Sequence, residues 1–143
     1  MSGQEKEPDK RAPRSTSGGI TLSSLLAEIR ARRSEFVTAQ KIPDDIIHGF
    51  KRLGVYRAMV AKCFGGEERT PAAFCRMIER ISAADGSAGW VASFGGAACY
   101  LAALPIETLG KIYANGPDVV YAGGLFPLQP ARRSTDGFIV NGV

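Results

Sequence analysis

The sequence is poor in the residues that build metal centres and disulfide frameworks. It has three cysteines and one histidine in 143 residues, and no two cysteines form a Cys-x-x-Cys pair. An odd number of unpaired cysteines predicts no disulfide framework, and His48 has no partner at a metal-ligand spacing. We therefore expect no metal site and a reducing, cytoplasmic compartment, with Cys63, Cys75 and Cys99 packing as small hydrophobic residues.

A strong excess of one charge is also missing. The net charge is +4, the pI is about 9.1, and Lys and Arg are scattered along the chain. Such mild, dispersed basicity is typical of a solvated surface, so we expect no nucleic-acid partner. The N-terminus lacks the apolar run of a signal peptide. Residues 1–19 are charged and rich in Pro, Gly and Ser, which predicts a disordered tail.

One stretch lacks charge altogether, from residue 86 to residue 106. Its length meets the rule for a membrane span, but its many Ala, Gly and Ser residues contribute little to insertion and its flanks carry mixed charges. We therefore expect no membrane partner and interpret the part of residues 81–104 that follows Asp85 as a helix buried on all sides by protein. Asp85 is the predicted N-cap, and Trp90, the single tryptophan, follows one turn later.

Hydrophobic spacing and capping signals predict a mainly α-helical domain over residues 20–116. The first helix continues to about Gln40, Gly54 closes the second, and Asn115-Gly116 ends the last. About five helices are expected in all. They begin at Leu22, Pro43, Thr70, Asp85 and Pro105.

After Pro117 the pattern becomes extended. Residues 119–122 predict one strand, Asp136-Gly137 predicts a hairpin turn, and residues 138–140 predict a second strand. Two short strands alone are marginal in water. Residues 117–143 are therefore predicted to be the first hairpin of an incomplete middle β domain.

Four motifs follow one another along the helical part of the sequence: Ile42-Pro43, Leu53-Gly54-Val55-Tyr56, Phe64-Gly65-Gly66 and Asp85-Gly86-Ser87-Ala88-Gly89-Trp90. In this order they resemble the N-terminal helical domain of the acyl-CoA dehydrogenase superfamily. The last of them, with its tryptophan, is similar to the reduced-flavin-dependent monooxygenases that hydroxylate phenols and related compounds. The resemblance covers roughly residues 22–143 and implies a chain truncated relative to full-length members.

The resemblance implies the N-terminal portion of a two-component oxidoreductase that hydroxylates an aromatic substrate with reduced flavin and oxygen. It implies FAD or FMN shared with further domains, a separate flavin reductase, a homo-oligomer at full length, and an isolated chain without activity. It places Gly124, Leu125, Phe126 and Pro127 against the flavin and Trp90 in the wall of the substrate pocket. It assigns no catalytic residue to this chain, because the family's catalytic base lies in the C-terminal part.

Each assignment has a structural alternative. Trp90 could be a core aromatic residue, and residues 124–127 could be an ordinary turn that ends a strand. Ser87 has no base linked to it by any motif, so hydrogen bonding in the first helical turn is its expected role. Two functional alternatives stay open as well: an acyl-CoA dehydrogenase proper, acting on an acyl substrate, or a truncated, non-catalytic helical interaction module.

Overall fold

Helices make up most of the chain that the computed structural model describes, namely residues 19–121, 123 and 130–141. The mainly α-helical fold with a small β element is confirmed. The predicted tail lies outside this range except for Gly19. The helices are α1 (Leu22–Ala31), α2 (Arg33–Ala39), α3 (Asp44–Arg52), α4 (Pro71–Ala84), α5 (Gly86–Ser93), α6 (Ala98–Leu101) and α7 (Ile106–Ile112), with 3₁₀ turns at Lys62–Phe64 and Phe94–Ala97 and strands β1 (Ala131–Ser134) and β2 (Gly137–Val140).

The first predicted helix is divided in two at Arg32, where the backbone leaves helical geometry (φ −109°, ψ 13°). The Arg32 guanidinium donates to Glu28 and Glu35 on its two sides, each at 2.8 Å, and to Asp45 of α3. These hydrogen bonds lower the pKa of Glu35 and of Asp45. One arginine thus joins three helices at the point where a continuous helix was expected.

The second helix begins and ends close to the predicted residues. Pro43 is the N-cap of α3 rather than its first helical residue, and Gly54 follows the helix with a φ of +72°. That left-handed conformation favours glycine, and it turns the chain inward. Val55 and Tyr56, which follow directly, are buried in the core. The segment after α3 therefore contributes to the hydrophobic core.

The helix predicted to begin after an Asp85 N-cap does begin there: the backbone is extended at Asp85 (φ −161°, ψ 131°), so α4 ends and α5 begins. Its predicted burial on all sides and its unbroken course to residue 104 are wrong. The two helices fold closely against each other, since a Cβ added at Gly89 would lie 2.7 Å from the Ser82 Cα. Only one side of the segment is buried: Trp90 is 69% exposed and Tyr100 is 76% exposed. A 3₁₀ turn then separates α5 from α6.

The larger of two hydrophobic clusters lies between α1, α3, α4, α5 and the segment after α3. The smaller cluster joins α6 and α7 to Val60. Both contain mainly Leu, Ile, Val, Ala and aromatic side chains, as periodicity predicts for amphipathic helices. The side chains of the larger cluster that are 0% exposed are Ile29, Ile46, Phe50, Val55, Ala58, Ile81, Ala84, Ala88 and Ala92.

The hairpin is confirmed at its turn and second strand but not at its first strand. β1 pairs antiparallel with β2, with Ser134 opposite Gly137 and Ala131 opposite Val140. Residues 119–121, the described part of the predicted first strand, are not in a strand. They follow Asp118, whose carboxylate accepts from Arg57 at 3.0 Å and so ties this segment to the helical body. Every residue of the two strands is exposed.

Candidate functional site

An open groove of about 480 Å³ lies between the end of α2 and the beginning of α5. Gln40 ends α2 in a left-handed conformation (φ 49°), and the turn that follows supplies one edge of the groove. The opposite edge is the first two turns of α5. The lining residues are Phe36, Val37, Gln40, Lys41, Ile42, Asp85, Gly86, Ser87, Trp90 and Val91.

Trp90 is the largest side chain of the groove. Its indole packs edge-to-face against Phe94 at a centroid distance of 5.8 Å and an interplanar angle of 72°. Because most of the ring is exposed, the alternative of a core aromatic residue does not hold in this structure. An exposed aromatic ring beside apolar side chains offers a flat surface for another planar group. The predicted contact between Trp90 and a substrate stays a prediction.

Asp85 holds the beginning of α5 in place. One carboxylate oxygen accepts from the Ala88 backbone N–H at 2.9 Å, which confirms the predicted N-cap. Its position in the groove wall follows from this role, since the cap must lie at the helix terminus. The cap also satisfies one of the N–H groups that have no partner within the helix.

Arg33 connects the two walls of the groove. It begins α2, and its Nε donates to the Ala84 carbonyl at 2.6 Å, at the end of α4. The same guanidinium reaches the Ala83 carbonyl at 3.5 Å. A cation at a helix C-terminus also interacts favourably with the helix dipole. The arrangement fixes α2 relative to the α4–α5 junction and thereby sets the separation of the walls.

The groove carries one acidic and one basic side chain, Asp85 and Lys41. Lys41 is exposed and makes no ion pair with any residue that the structure describes. Neither Lys41 nor the residues of α2 were predicted to belong to a site. No periodicity links residues 36–42 to residues 85–91, because their proximity is a product of tertiary packing. Val37 of α2 is 78% exposed at the groove.

The other candidate residues lie in the groove, away from it, or outside the residues that the structure describes. Gly124, Leu125, Phe126 and Pro127, the predicted flavin contacts, lie outside the described residues. His48 is exposed and is not among the groove residues, whereas Ser87 is.

The three cysteines are exposed as well, so their expected role as packed hydrophobic residues is wrong. Within the described ranges, no group of His, Cys, Asp and Glu side chains could hold a metal ion. In the same ranges, no helix is both long and apolar enough to cross a bilayer.

A second, smaller cavity of about 210 Å³ lies at the other hydrophobic cluster. Phe64 stacks on Tyr113 beside it, with ring centroids 5.2 Å apart, and burial raises the pKa of the Tyr113 hydroxyl. Phe64 belongs to the Phe64-Gly65-Gly66 motif, one of the four that resemble the family. The stacking shows that this motif also packs against α7.

Residues 23–111 match the sequence model of a protein family described as acyl-CoA dehydrogenase, N-terminal domain. The chain belongs to this family. The match covers α1 to α7 almost completely, so the family's domain coincides with the helical part of the fold. The fold class predicted from the four motifs is thereby confirmed.

Similar proteins confirm the predicted branch of the superfamily. An indole-3-acetate monooxygenase of Pseudomonas putida is 55% identical over 136 residues, which are 93% of this chain and 35% of that protein. The oxygenase subunit HsaA of a flavin-dependent monooxygenase of Rhodococcus jostii is 29% identical over 85% of this chain and 32% of that protein. The crystal structure of 3-HSA hydroxylase from Rhodococcus sp. RHA1 matches with a TM-score of 0.78 at 29% identity, over 85% of this chain and 31% of that one. The chain thus spans about a third of the length of these relatives.

Proposed function

We propose that this chain forms the N-terminal helical domain of a flavin-dependent monooxygenase that oxygenates an indole carboxylic acid or a similar aromatic acid. The observation that carries the proposal is the open groove with the exposed indole of Trp90 in its wall. The 55% identity to an indole-3-acetate monooxygenase supports the substrate class. One atom of O₂ enters the aromatic product, and the other leaves as water.

The groove suits a planar aromatic molecule in size and in composition. Its volume of about 480 Å³ lies within the range of about 300–1,000 Å³ that is usual for small-molecule sites. Trp90, Val91 and Val37 supply apolar surface, and the edge-to-face contact with Phe94 supports the Trp90 ring from behind. In the proposal these side chains hold the ring of the substrate and keep water from one of its faces.

Reduced flavin, when bound, supplies the two electrons that activate oxygen. The proposal assigns its contact to Gly124, Leu125, Phe126 and Pro127, and it leaves FAD and FMN as equal candidates. A separate flavin reductase is proposed as partner, since a similar protein is named an oxygenase subunit. We further propose that the full-length protein forms a homo-oligomer in the cytoplasm.

The proposal predicts activity that depends on both reduced flavin and the aromatic acid. The protein that carries this chain, rather than residues 1–143 alone, is supplied with FAD or FMN, a flavin reductase with its nicotinamide donor, and indole-3-acetate, and the oxygenated product is measured by mass spectrometry. We expect Trp90→Leu to lower kcat/KM by about two- to tenfold, since an aromatic contact contributes about 0.5–1.5 kcal/mol, and Trp90→Phe to lower it less. Tyr100→Leu, equally exposed but outside the groove, is the matched control.

Two results would contradict the proposal. Oxidation of acyl-CoA thioesters without any aromatic product would indicate an acyl-CoA dehydrogenase. Absence of both activities, from a protein that circular dichroism shows to be folded, would indicate a non-catalytic helical module.

A further inference from the structure

Lys41 is the basic residue among those that line the groove. It lines the groove together with apolar residues such as Phe36, Ile42 and Trp90, and it is exposed. Arg32 and Arg57, by contrast, are each engaged with carboxylates of neighbouring helices or loops. In the part of the chain that the structure describes, Lys41 has no carboxylate partner.

We infer that Lys41 binds the carboxylate of the aromatic acid whose ring lies against Trp90. The inference rests on the proposed function, which supplies an aromatic acid as substrate, and adds the residue that selects the acid over its neutral analogues. A carboxylate needs a charge partner when it leaves water, and an ammonium group is a strong one. A single cation beside an aromatic wall matches a ligand with one ring system and one negative charge.

Asp85 is the acidic group that an incoming carboxylate would meet in the same groove. Its carboxylate already accepts the Ala88 N–H at 2.9 Å and lies at the positive end of the α5 dipole. That helix terminus offsets part of the Asp85 charge, so repulsion of a second carboxylate is reduced. Lys41 lies on the opposite edge, in the turn after α2, which separates the two charges across the groove.

The backbone position of Lys41 is determined by the neighbouring residues and not by contacts of the lysine side chain. Gln40 directly before it adopts a left-handed backbone conformation, and Ile42 directly after it is buried with 8% exposure. Arg33 further joins α2 to the end of α4. The backbone on both sides of Lys41 is therefore fixed, and the flexible side chain can reach a ligand without rearrangement of the fold.

The test compares Lys41→Met and Lys41→Arg in the flavin-loaded enzyme with its reductase. Lys41→Met retains the length and apolar character of the side chain and removes the charge. We expect it to raise the KM for indole-3-acetate about three- to tenfold with little change in kcat, as for the loss of one charged contact. Lys41→Arg retains the charge and should restore most of the affinity. Lys111→Met, an exposed lysine of α7 outside the groove, is the matched control.

A neutral analogue of the substrate separates the contribution of the carboxylate to binding from that of the ring. 3-Methylindole has the same ring system without the carboxylate, and its inhibition constant against indole-3-acetate should be the same in the wild-type protein and in Lys41→Met. An unchanged KM for indole-3-acetate in Lys41→Met would overturn the inference while the proposed function stands. An equal loss of affinity for both compounds would also overturn it, because it would indicate a change in groove shape. A wild-type protein that oxygenates no aromatic acid would overturn the proposed function and the inference together.

Discussion

At the scale of single residues, local interactions determine which residues begin and end a helix, whereas tertiary packing determines which side chains are exposed. Asp85 is the N-cap of α5, and Gly54 has the positive φ that a helix-closing glycine supplies. These roles depend on neighbours a few residues away, which the sequence displays. The exposure of Trp90 depends on which elements pack over it, and an uncharged sequence context cannot distinguish a core residue from the wall of an open groove.

Tyr56 allows a prediction of pH dependence. It is 2% exposed, it packs edge-to-face on Phe50 at 6.3 Å, and burial raises its pKa to about 12. An unfolded tyrosine titrates near 10, so the folded state holds the phenolic proton longer than the unfolded state does. The contribution to stability is therefore complete below about pH 10 and is lost as the pH rises toward 12.

Comparison of the wild-type protein with Tyr56→Phe isolates this contribution. Between pH 9 and pH 12 the free energy of unfolding of the wild-type protein should fall by about 2 kcal/mol more than that of the variant. Urea denaturation at each pH measures both, and the lysines that titrate in the same range are common to the two proteins. Parallel pH profiles would show that the Tyr56 hydroxyl is not protected by burial.

At the scale of elements, periodicity located the helices but not their interruptions. Residues 22–40 were predicted as one helix and are divided at Arg32, and the helix predicted to follow Asp85 is divided by the 3₁₀ turn Phe94–Ala97. The first division coincides with an ion pair to α3, and the second with the close approach of Gly95 to the Val55 carbonyl, where an added Cβ would lie 2.6 Å from the oxygen. Both causes are tertiary contacts. Strand β1 was not predicted, because Arg132 and Arg133 are not typical of a buried strand. The hydrogen bonds that pair β1 with β2 need only backbone groups, so the side chains give no signal.

The contact between α4 and α5 can be tested with two glycines of one helix. A Cβ at Gly89 would lie 2.1 Å from the Ser82 Oγ and 2.7 Å from the Ser82 Cα, so rotation of the serine side chain cannot relieve the overlap. A Cβ at Gly86 would meet nothing within 4 Å. Gly89→Ala should therefore lose about 1–3 kcal/mol of stability. Gly86→Ala should be neutral or gain up to about 1 kcal/mol, since alanine restricts the unfolded chain.

Urea denaturation measures the free energy of unfolding of the two variants and so tests this prediction. A Gly89→Ala protein as stable as Gly86→Ala would mean that the two helices are not as close as the structure has them. A similar loss in both variants would instead indicate that α5 does not tolerate any side chain at its beginning.

At the scale of the whole molecule, the family could be predicted from four short motifs, because each reflects a backbone requirement that the fold imposes. The groove could be predicted only in part: Trp90 was identified, whereas Lys41 and α2 were not. A groove between elements some fifty residues apart has no signature in the order of the residues. The chain spans about a third of the length of its relatives, so the complete enclosure of a substrate and the activity remain proposals.

The central claim is that oxygen transfer to an aromatic acid depends on the protein that carries this chain. The most direct measurement is a single turnover in which the protein, chemically reduced FAD or FMN and indole-3-acetate are mixed with ¹⁸O₂, and the isotope content of the product is determined by mass spectrometry. We expect one ¹⁸O atom in each molecule of product. Reoxidation of the flavin that yields only labelled hydrogen peroxide, with indole-3-acetate recovered unchanged, would contradict it.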